Sequence, residues 1–511
     1  MRRIITILSI LIFAFTLPAV LFANEKIADS LHSILINVEK DTGLWIRCEQ
    51  IHSSLDLIDF YRNRQFIPVW IDENGPTPLG ESFVRTLEST ETHGLHPDDY
   101  HYACIRAWMD SFHIFSQNKI PINSKESANL DIVMTDAFMI FASHLVEGKV
   151  DPEHLYPQWI SGKRKANVFA VLHNLLEHRS LERAIKALAP PHRDYWRMVN
   201  AVTHLKSVVD AGGWPLVPRG KRLKRGEKDQ RIYLLRQRLE MSGDLIWQQT
   251  ADKSRFDKNL ETAVKKFQAR HGLKTDGIVG PQTQTALNIS ARDRRRQLLL
   301  NLERWRWLTH NWGDRYILVN TASFNLEAYQ GEEQQLDMRV VVGKTYTKTP
   351  VFSKQMQYLT INPYWNVPRS IVIDELLPKI KQDAVYLEKN HYELISGWKE
   401  PAIITDPYTI EWETINDKNF PGRLRQQPGP WNPMGRIKFM FPNRFNVYLH
   451  DTSEPYLFQN NNRALSHGCI RVEQPIDLAL FVLQDDSSWT RERIQHLMNS
   501  GEKHVVRIMR P

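Results

Sequence analysis

The spacing of apolar residues divides the chain into a helical part and a strand-rich part. Up to about residue 227, apolar side chains recur three and four positions apart, as in segments 27–35 and 130–141, which is the spacing of one helix face. After residue 314, short runs such as 316–320, 338–343 and 437–441 are rich in β-branched and aromatic residues, which is typical of strands. The pattern predicts a multidomain α+β protein, with a mainly helical region at 24–227 and a β-rich domain at 291–511.

Two shorter segments interrupt this division. Residues 228–290 contain two helical patterns, a loop punctuated by glycines at 272–280, and the beginning of a third helix, so we predict a small three-helix module. The Lys- and Arg-rich segment 219–225 precedes this module as an exposed boundary. Between about 369 and 432 the strand pattern gives way to helix and mixed loop. We expect this segment to be an insertion within the β-rich domain.

The first 23 residues predict export from the cytoplasm. Arg2 and Arg3 precede an almost wholly apolar run, and Ala23 ends it before a polar segment, as in a secretory signal peptide. Leu21 is larger than usual for its place before a cleavage site, so an uncleaved membrane anchor is the alternative. In an oxidising compartment Cys48 and Cys104 are candidates to pair, a question that sequence leaves open.

Composition adds two constraints. A chain of 511 residues exceeds what one hydrophobic core supports, so two to four domains are expected. The net charge of +8 suits an anionic partner such as cell-wall polymer, membrane surface or nucleic acid. The chain contains no zinc-finger, RNP or helix-turn-helix pattern, so nucleic acid is not expected.

The candidate chemistry lies near the C-terminus, where His450 ends a strand-like run and Cys469 follows a glycine. A thiol with a histidine in reach can transfer acyl groups through a thioester, because the histidine takes the thiol proton and returns it to the leaving amine. We assign Cys469 as the nucleophile, His450 as the general base and His467 as a helper. Gly468 lets the backbone pass close to the substrate and lets nearby amides face an oxyanion. A zinc site on these residues matches no common ligand spacing, so neither metal nor cofactor is expected.

The motif resembles the active site of L,D-transpeptidases, the cysteine enzymes that cross-link peptidoglycan stem peptides. It consists of His450, fifteen intervening residues, and then the Ser-His-Gly-Cys sequence that ends at Cys469. Family members often carry Asn two positions after the cysteine, where this chain has Arg471. An arginine at that position resembles the large, multidomain, Gram-negative-type members, and its guanidinium suits a substrate carboxylate. The alternative is a structural ion pair with an acid such as Glu473 or Asp451.

The resemblance extends over most of the chain. Residues 24–227 resemble the scaffold domain of the large members, and 228–290 are similar to the helical peptidoglycan-binding domain. The catalytic domain is implied to be a β-sandwich or small barrel, and the insertion a capping lid. Tyr448, Ser466, Trp365 and Trp431 are further candidates to contact the stem peptide. The implied location is the periplasm, and the implied partners are stem peptides and glycan, with other cell-wall enzymes as further candidates.

Sequence leaves several functions open. The first is formation of direct 3-3 cross-links between diaminopimelate residues, with release of the terminal D-alanine of a tetrapeptide donor. The same site with water as acceptor would be an L,D-carboxypeptidase, and with a lipoprotein lysine it would be an anchoring ligase. A serine or zinc peptidoglycan hydrolase is a further alternative, but this chain lacks the Lys-Thr-Gly and His-Glu-x-x-His motifs that such enzymes carry. The last alternative is a non-catalytic wall-binding scaffold.

Overall fold

The computed structural model describes residues 25–37, 43–47, 49–156, 165, 167–247, 252–308, 312–397 and 402–511. The predicted signal segment and Cys48 lie outside these residues, so cleavage of the signal and the pairing of Cys48 stay predictions. The chain forms two compact units. Within the described residues, one consists of residues up to 156, 165–271 and 275–308, and the other of residues 272–274 and 312–511.

Helices dominate the first unit. Its described residues also form two short hairpins, β1–β2 and β3–β4, with strands Leu44–Ile46, Glu49–Ile51, Ile71–Asp72 and Gly75–Pro76. The helices run in chain order as α1 (residues 25–36), α2 (Ser54–Asn63), α3 (Pro78–Glu88), α4 (Tyr102–Gln117), α5 (Ser124–Glu147), α6 (Pro152–Leu155), α7 (Val168–His178), α8 (Leu181–Leu188), α9 (Arg193–Asp210), α10 (Arg231–Met241), α11 (Lys258–Arg270), α12 (Pro281–Leu287) and α13 (Ala291–Arg306).

Helix α5 is the centre of this unit. It is long and apolar enough to cross a membrane by composition alone, but most of it is buried inside the protein as a core helix. The buried Asp131 carboxylate on α5 accepts hydrogen bonds from the backbone amides of Val69, Trp70 and Ile71, and from the Tyr61 hydroxyl. A buried carboxylate needs such donors to offset its lost hydration. These bonds attach the β3 region to the core.

The predicted three-helix module is present as α10, α11 and α12. Buried Gln268 on α11 joins the loop to the next helix, because its amide donates to Asp276, to the Ile278 carbonyl and to Thr283 and accepts from the Gly277 amide. Gly277 has a φ of +74° and packs against the Glu261 side chain. A glycine at this turn is therefore explained by backbone conformation and close packing.

Helix α13 belongs to the first unit, although the predicted boundary at residue 291 placed it in the β-rich domain. In the structure α13 packs along α9, and Leu302 belongs to the core of the first unit. Arg306, at the end of α13, is buried and donates to the His93 carbonyl and to Glu303. The charged pattern of α13 thus includes an arginine that is held inside the protein by polar partners.

The second unit contains a mixed sheet of nine strands within the described residues. Eight of them are adjacent in the order β17-β8-β13-β14-β16-β7-β6-β5, and β15 pairs with β7. The strands of this sheet are β5 (Arg315–Asn320), β6 (Asn325–Gln330), β7 (Glu333–Gly343), β8 (Tyr358–Ile361), β13 (Ile437–Met440), β14 (Leu449–His450), β15 (Ala464–Ser466), β16 (Ile470–Val472) and β17 (His504–Arg507). Helices α17 (Pro475–Leu483) and α18 (Arg491–Ser500) pack on β7 and β8.

The predicted insertion has its own β-sheet and its own hydrophobic core. Its four-stranded sheet has the order β11-β10-β12-β9, and side chains including Leu376, Trp412 and Leu424 form its buried cluster. Its strands and helices are β9 (Trp365–Asn366), α14 (Arg369–Ile371), a π-helical turn (Val372–Leu376), α15 (Leu377–Gln382), α16 (Tyr386–Lys389), β10 (Tyr392–Ser396), β11 (Ile403–Thr405) and β12 (Arg423–Gln426). The predicted α+β fold class is confirmed.

Candidate active site

Three neighbouring strands bring the predicted site residues together. Lys438 of β13 pairs in register with His450 of β14, and His450 pairs with Arg471 of β16. Paired residues on adjacent strands point to the same face of a sheet, and so do residues two positions apart along one strand. The three strands thus carry a row of side chains on one face, formed by Lys438, His450 and Arg471. Tyr448 and Cys469 each lie two residues before a member of this row. The Ile470 amide donates to the Tyr448 carbonyl at 3.1 Å, which fixes the two chain segments side by side.

His450 is only 2% exposed, and its environment favours the neutral imidazole. Burial lowers the pKa of His450 to about 3, and the nearby Arg471 and Lys438 act in the same direction. The carbonyls of Asp451 and Met434 partly offset this effect on the pKa. Nδ1 lies 2.5 Å from the Asp451 carbonyl oxygen, an acceptor, so Nδ1 carries the proton. Nε2 is then the basic nitrogen of the ring.

Cys469 carries a free, partly buried thiol. Burial raises the pKa of this thiol above its ordinary value, whereas the amide and hydroxyl of Tyr448, and the charges of Lys438 and Arg471, act to lower it. The sulfur lies 3.9 Å from the Asn446 carbonyl oxygen. No hydrogen bond to His450 is among the contacts of the described residues. Catalytic hydrogen bonds are often long before substrate binds.

A tight turn sets the position of the thiol. The Ser466 hydroxyl donates to the Cys469 carbonyl at 2.6 Å and accepts from the Gly468 amide at 3.1 Å. Gly468 has a φ of +122°, a conformation that side chains oppose. The Ser466 hydroxyl is therefore buried and used inside the turn. Because the Gly468 amide is also engaged, the Cys469 amide, which makes no hydrogen bond within the described residues, is the candidate donor to an oxyanion.

The loop after β7 holds this turn from outside. Thr347 donates its hydroxyl hydrogen to the Ser466 carbonyl at 3.1 Å, and Thr349 does the same to the Gly468 carbonyl at 2.8 Å. The two backbones approach closely at Gly343, where an added Cβ would lie 2.1 Å from the Thr347 carbonyl oxygen. No pattern in the sequence marks this loop as part of the site.

Arg471 has an acidic partner, but neither of the two that the sequence suggested. Its Nη1 lies 2.6 Å from Oε2 of Glu454, whereas Glu473 pairs with Arg339 and the Asp451 carboxylate accepts from the Arg436 amide. Nε of Arg471 is buried and has no hydrogen-bond partner among the described residues. The guanidinium is thus held at one end only.

Comparison with known proteins gives three family matches along the chain. Residues 314–495 match the L,D-transpeptidase catalytic domain, residues 56–202 match the scaffold domain, and residues 228–287 match the "Putative peptidoglycan binding domain". The first match includes the whole row of residues around Cys469. The chain therefore carries an L,D-transpeptidase catalytic domain.

The proteins that match this chain include a bacterial relative and a solved structure. A Haemophilus influenzae protein named "Putative L,D-transpeptidase" is 37% identical over 199 residues. That match covers 39% of this chain and 39% of the relative, so the chain spans about two fifths of that protein's length. A crystal structure of an L,D-transpeptidase (residues 123–326) from Xylanimonas cellulosilytica aligns with 17% identity over 52% of this chain and 92% of the other. Its TM-score of 0.16 supports no structural argument.

The remaining predicted residues of the transpeptidase domain lie at the insertion. His467 is half-exposed, and its Nε2 lies 2.9 Å from Oε1 of Glu375 in the π-helical turn. Trp365 packs against the core of the insertion, and Trp431 stacks on His391 with ring centroids 3.6 Å apart. Within the described residues, no hydrogen bond or ring contact joins either tryptophan to Cys469. Their role in substrate binding stays a prediction.

Two charged residues of the transpeptidase domain were missed in the sequence. Lys438 is the polar position of an alternating strand, and Glu454 lies in the loop after His450. Neither position is distinctive, because the pairing of β13 with β14 and the path of the loop are long-range features. The described residues contain no cluster of three or more His, Cys, Asp or Glu side chains arranged to hold a metal ion.

Proposed function

We propose that this chain is an L,D-transpeptidase that acts on peptidoglycan stem peptides through a thioester on Cys469. The observation that carries the proposal is the position of His450. Its Nδ1 donates to the Asp451 carbonyl, which leaves Nε2 basic, on the sheet face that it shares with Cys469. A neutral imidazole with an unprotonated Nε2 can accept the thiol proton, which is the step that general-base catalysis requires. The match of residues 314–495 to the catalytic domain supports the same chemistry.

In the first half-reaction, Nε2 of His450 takes the thiol proton as sulfur attacks the carbonyl carbon that precedes the terminal D-alanine. The Cys469 amide donates to the oxyanion of the tetrahedral intermediate, a contribution that is typically worth several kcal/mol. The carbon–nitrogen bond then breaks. His450 returns the proton to the departing amine of D-alanine, and the acyl group remains on sulfur as a thioester.

In the second half-reaction, an acceptor amine attacks the thioester and Cys469 leaves as the thiol. We propose that the acceptor is the side-chain amine of a diaminopimelate in a neighbouring stem, so the product is a 3-3 cross-link. Arg471 is the candidate to bind a donor carboxylate, because a guanidinium forms paired hydrogen bonds with carboxylates. Tyr448, Trp365 and Trp431 are candidates to contact the rest of the stem.

We further propose that the module at 228–290 binds wall polymer, that the helical region at 24–227 acts as a scaffold, and that the protein works in the periplasm. The matches to the scaffold and peptidoglycan-binding families support the first two roles. The apolar run after Arg3 supports the third. No cofactor takes part in this proposal.

The decisive experiment is incubation of the purified protein with disaccharide-tetrapeptides, followed by mass spectrometry of the products. We expect a 3-3 dimer, free D-alanine and an acyl-enzyme mass on Cys469. Cys469→Ala is the matched control and should give none of these. Trimmed tripeptide alone would indicate a carboxypeptidase, and dimer formation by Cys469→Ala would overturn the proposed nucleophile.

A further inference from the structure

Lys438 extends into the row of active-site residues from the neighbouring strand β13. It pairs in register with His450, and therefore lies on the face that carries Tyr448, Cys469 and Arg471. Its Nζ lies 3.6 Å from the centroid of the Tyr448 ring. This is a short cation–π distance, and such a contact restrains an ammonium group that would otherwise move freely.

The charge of Lys438 is not neutralised by an acid in the described part of the chain. No carboxylate of the described residues lies within 4 Å of its nitrogen. The nearby acids have other partners, because Glu454 forms an ion pair with Arg471 and the Asp451 carboxylate accepts a hydrogen bond from the Arg436 amide. The groups around the Cys469 thiol are cations and neutral donors from three strands. They are Lys438 on β13, Tyr448 just before β14, and Arg471 on β16, with Lys503 acting on Lys438 from just before β17.

A partly buried thiol that loses its proton is stabilised by a positive charge close to it. Burial lowers the pKa of His450 to about 3, so the imidazolium that forms when His450 takes the thiol proton is short-lived, and a permanent cation is the more effective partner for the thiolate. Burial also lowers the pKa of Lys438 to about 8, and the charge on Cys469 opposes that decrease. Lys438 thus remains largely protonated near neutral pH. Arg471 is the other cation, but Glu454 already shares its charge.

We propose that Lys438 is a positioning residue for the reaction, and that its ammonium, held over the Tyr448 ring, stabilises the Cys469 thiolate. The inference rests on the proposed function, since it assigns Cys469 as nucleophile. In the step concerned, the S–H bond breaks, a new N–H bond forms at Nε2 of His450, and Lys438 keeps all of its protons. The effect is electrostatic, and it operates before any peptide is cleaved.

The test is the pH dependence of Cys469 alkylation by iodoacetamide in the full-length protein, measured by mass spectrometry of the peptide that contains Cys469. In the Lys438→Met variant we expect a smaller thiolate fraction below about pH 8, where Lys438 of the wild type is protonated, because an opposite charge at close range shifts a pKa by roughly 1–3 units. The rate at pH 7 should fall about tenfold and approach the wild-type rate at high pH. Lys438→Arg keeps the charge and should remain close to wild type.

The control removes a lysine of similar local structure elsewhere in the domain. Lys379 lies over the Tyr386 ring at 5.6 Å within the insertion, and Lys379→Met should leave the alkylation rate at pH 7 unchanged. An unchanged alkylation rate at pH 7 in Lys438→Met, or an equal loss in Lys438→Arg, would overturn the inference. If Lys438→Met folds poorly, as judged by its melting temperature, Lys438→Gln is tested against the same criterion. Alkylation needs no peptidoglycan. A failure of transpeptidation would therefore overturn the proposed function, whereas the alkylation rates would still test the effect of Lys438 on the Cys469 thiol.

Discussion

Glu375 and His467 join the insertion to the residue two positions before the candidate nucleophile, with Oε1 and Nε2 2.9 Å apart. Glu375 lies in the π-helical turn Val372–Leu376, a form of helix that is frequent at functional sites. Both side chains are about half-exposed, so the pair adds little to global stability. Its consequence is local, because it holds the insertion against the turn that carries Cys469.

We therefore expect Glu375→Gln to loosen this contact while leaving the melting temperature nearly unchanged. Hydrogen exchange should become faster in residues 369–382 and 464–469, as measured by mass spectrometry with and without the substitution. Glu413, an acid in the same insertion, provides the control as Glu413→Gln. Unchanged exchange in both segments would mean that the Glu375–His467 pair does not hold the insertion.

The two histidines of the motif should differ in importance. His450→Ala removes the base, and loss of a general base typically slows a reaction by about 10²–10⁴-fold. His467→Ala should cost less, because His467 is half-exposed and paired with Glu375. Acylation rates from single-turnover mass spectrometry make the comparison. A larger defect in a folded His467→Ala variant would reverse the two assigned roles.

Arg471 should be more sensitive to substrate charge than to the thiol reaction itself. Arg471→Lys keeps a positive charge but loses the planar fork, so kcat/KM for a tetrapeptide donor should fall by about tenfold or more. The matched variant is Glu454→Gln, which removes the partner that now lies 2.6 Å from Nη1 and should impair catalysis less. Acylation by a small activated reagent that lacks a carboxylate should change little in Arg471→Lys. An equal loss toward both substrates would indicate a structural role for Arg471.

Stability should fall on acidification because of buried histidines. The pKa of His450 is lowered to about 3 in the folded protein, against about 6.5 in an unfolded chain. Between these values the unfolded chain binds a proton that the folded chain does not, so the free energy of unfolding falls as pH falls. At pH 4.5 the loss from this residue is at most about 2–3 kcal/mol.

The measurement is the melting temperature of the β-rich unit at pH 7 and pH 4.5. His450→Gln should reduce the decrease between these two pH values, whereas His467→Gln, at an exposed position, should not. His93 in the helical unit acts in the same sense, because burial lowers its pKa to about 4. An equal decrease in wild type and His450→Gln would contradict the prediction.

The module at 228–290 should bind wall polymer without taking part in the chemistry. A variant without it should be recovered less efficiently with purified sacculi, while Cys469 is still acylated by a small activated reagent. Pull-down with sacculi and intact-mass analysis measure the two effects. Normal recovery of the shortened variant with sacculi would leave the module as a spacer.

Local sequence was sufficient for the features that depend on neighbouring residues. The periods of the apolar residues predicted a helical region, a three-helix module and a β-rich domain, because helix and strand faces repeat every few residues. The site motif was also visible, since Ser466, Gly468 and Cys469 lie in one turn. Gly468 adopts a φ of +122°, a backbone conformation that favours glycine. The glycine in the sequence therefore indicated an unusual turn at this position.

Long-range pairing decided the remainder of the site. Lys438 joins it only because β13 pairs with β14 in one register, and a shift of one residue would place the ammonium on the other face. The sequence also did not show which acid each arginine contacts. Arg471 forms an ion pair with Glu454, and Glu473 forms one with Arg339. Helix α13 joined the first unit because its apolar residues pack there. Sequence specified which groups were present, and tertiary packing decided which of them meet, because side-chain partners depend on distances that span the whole domain.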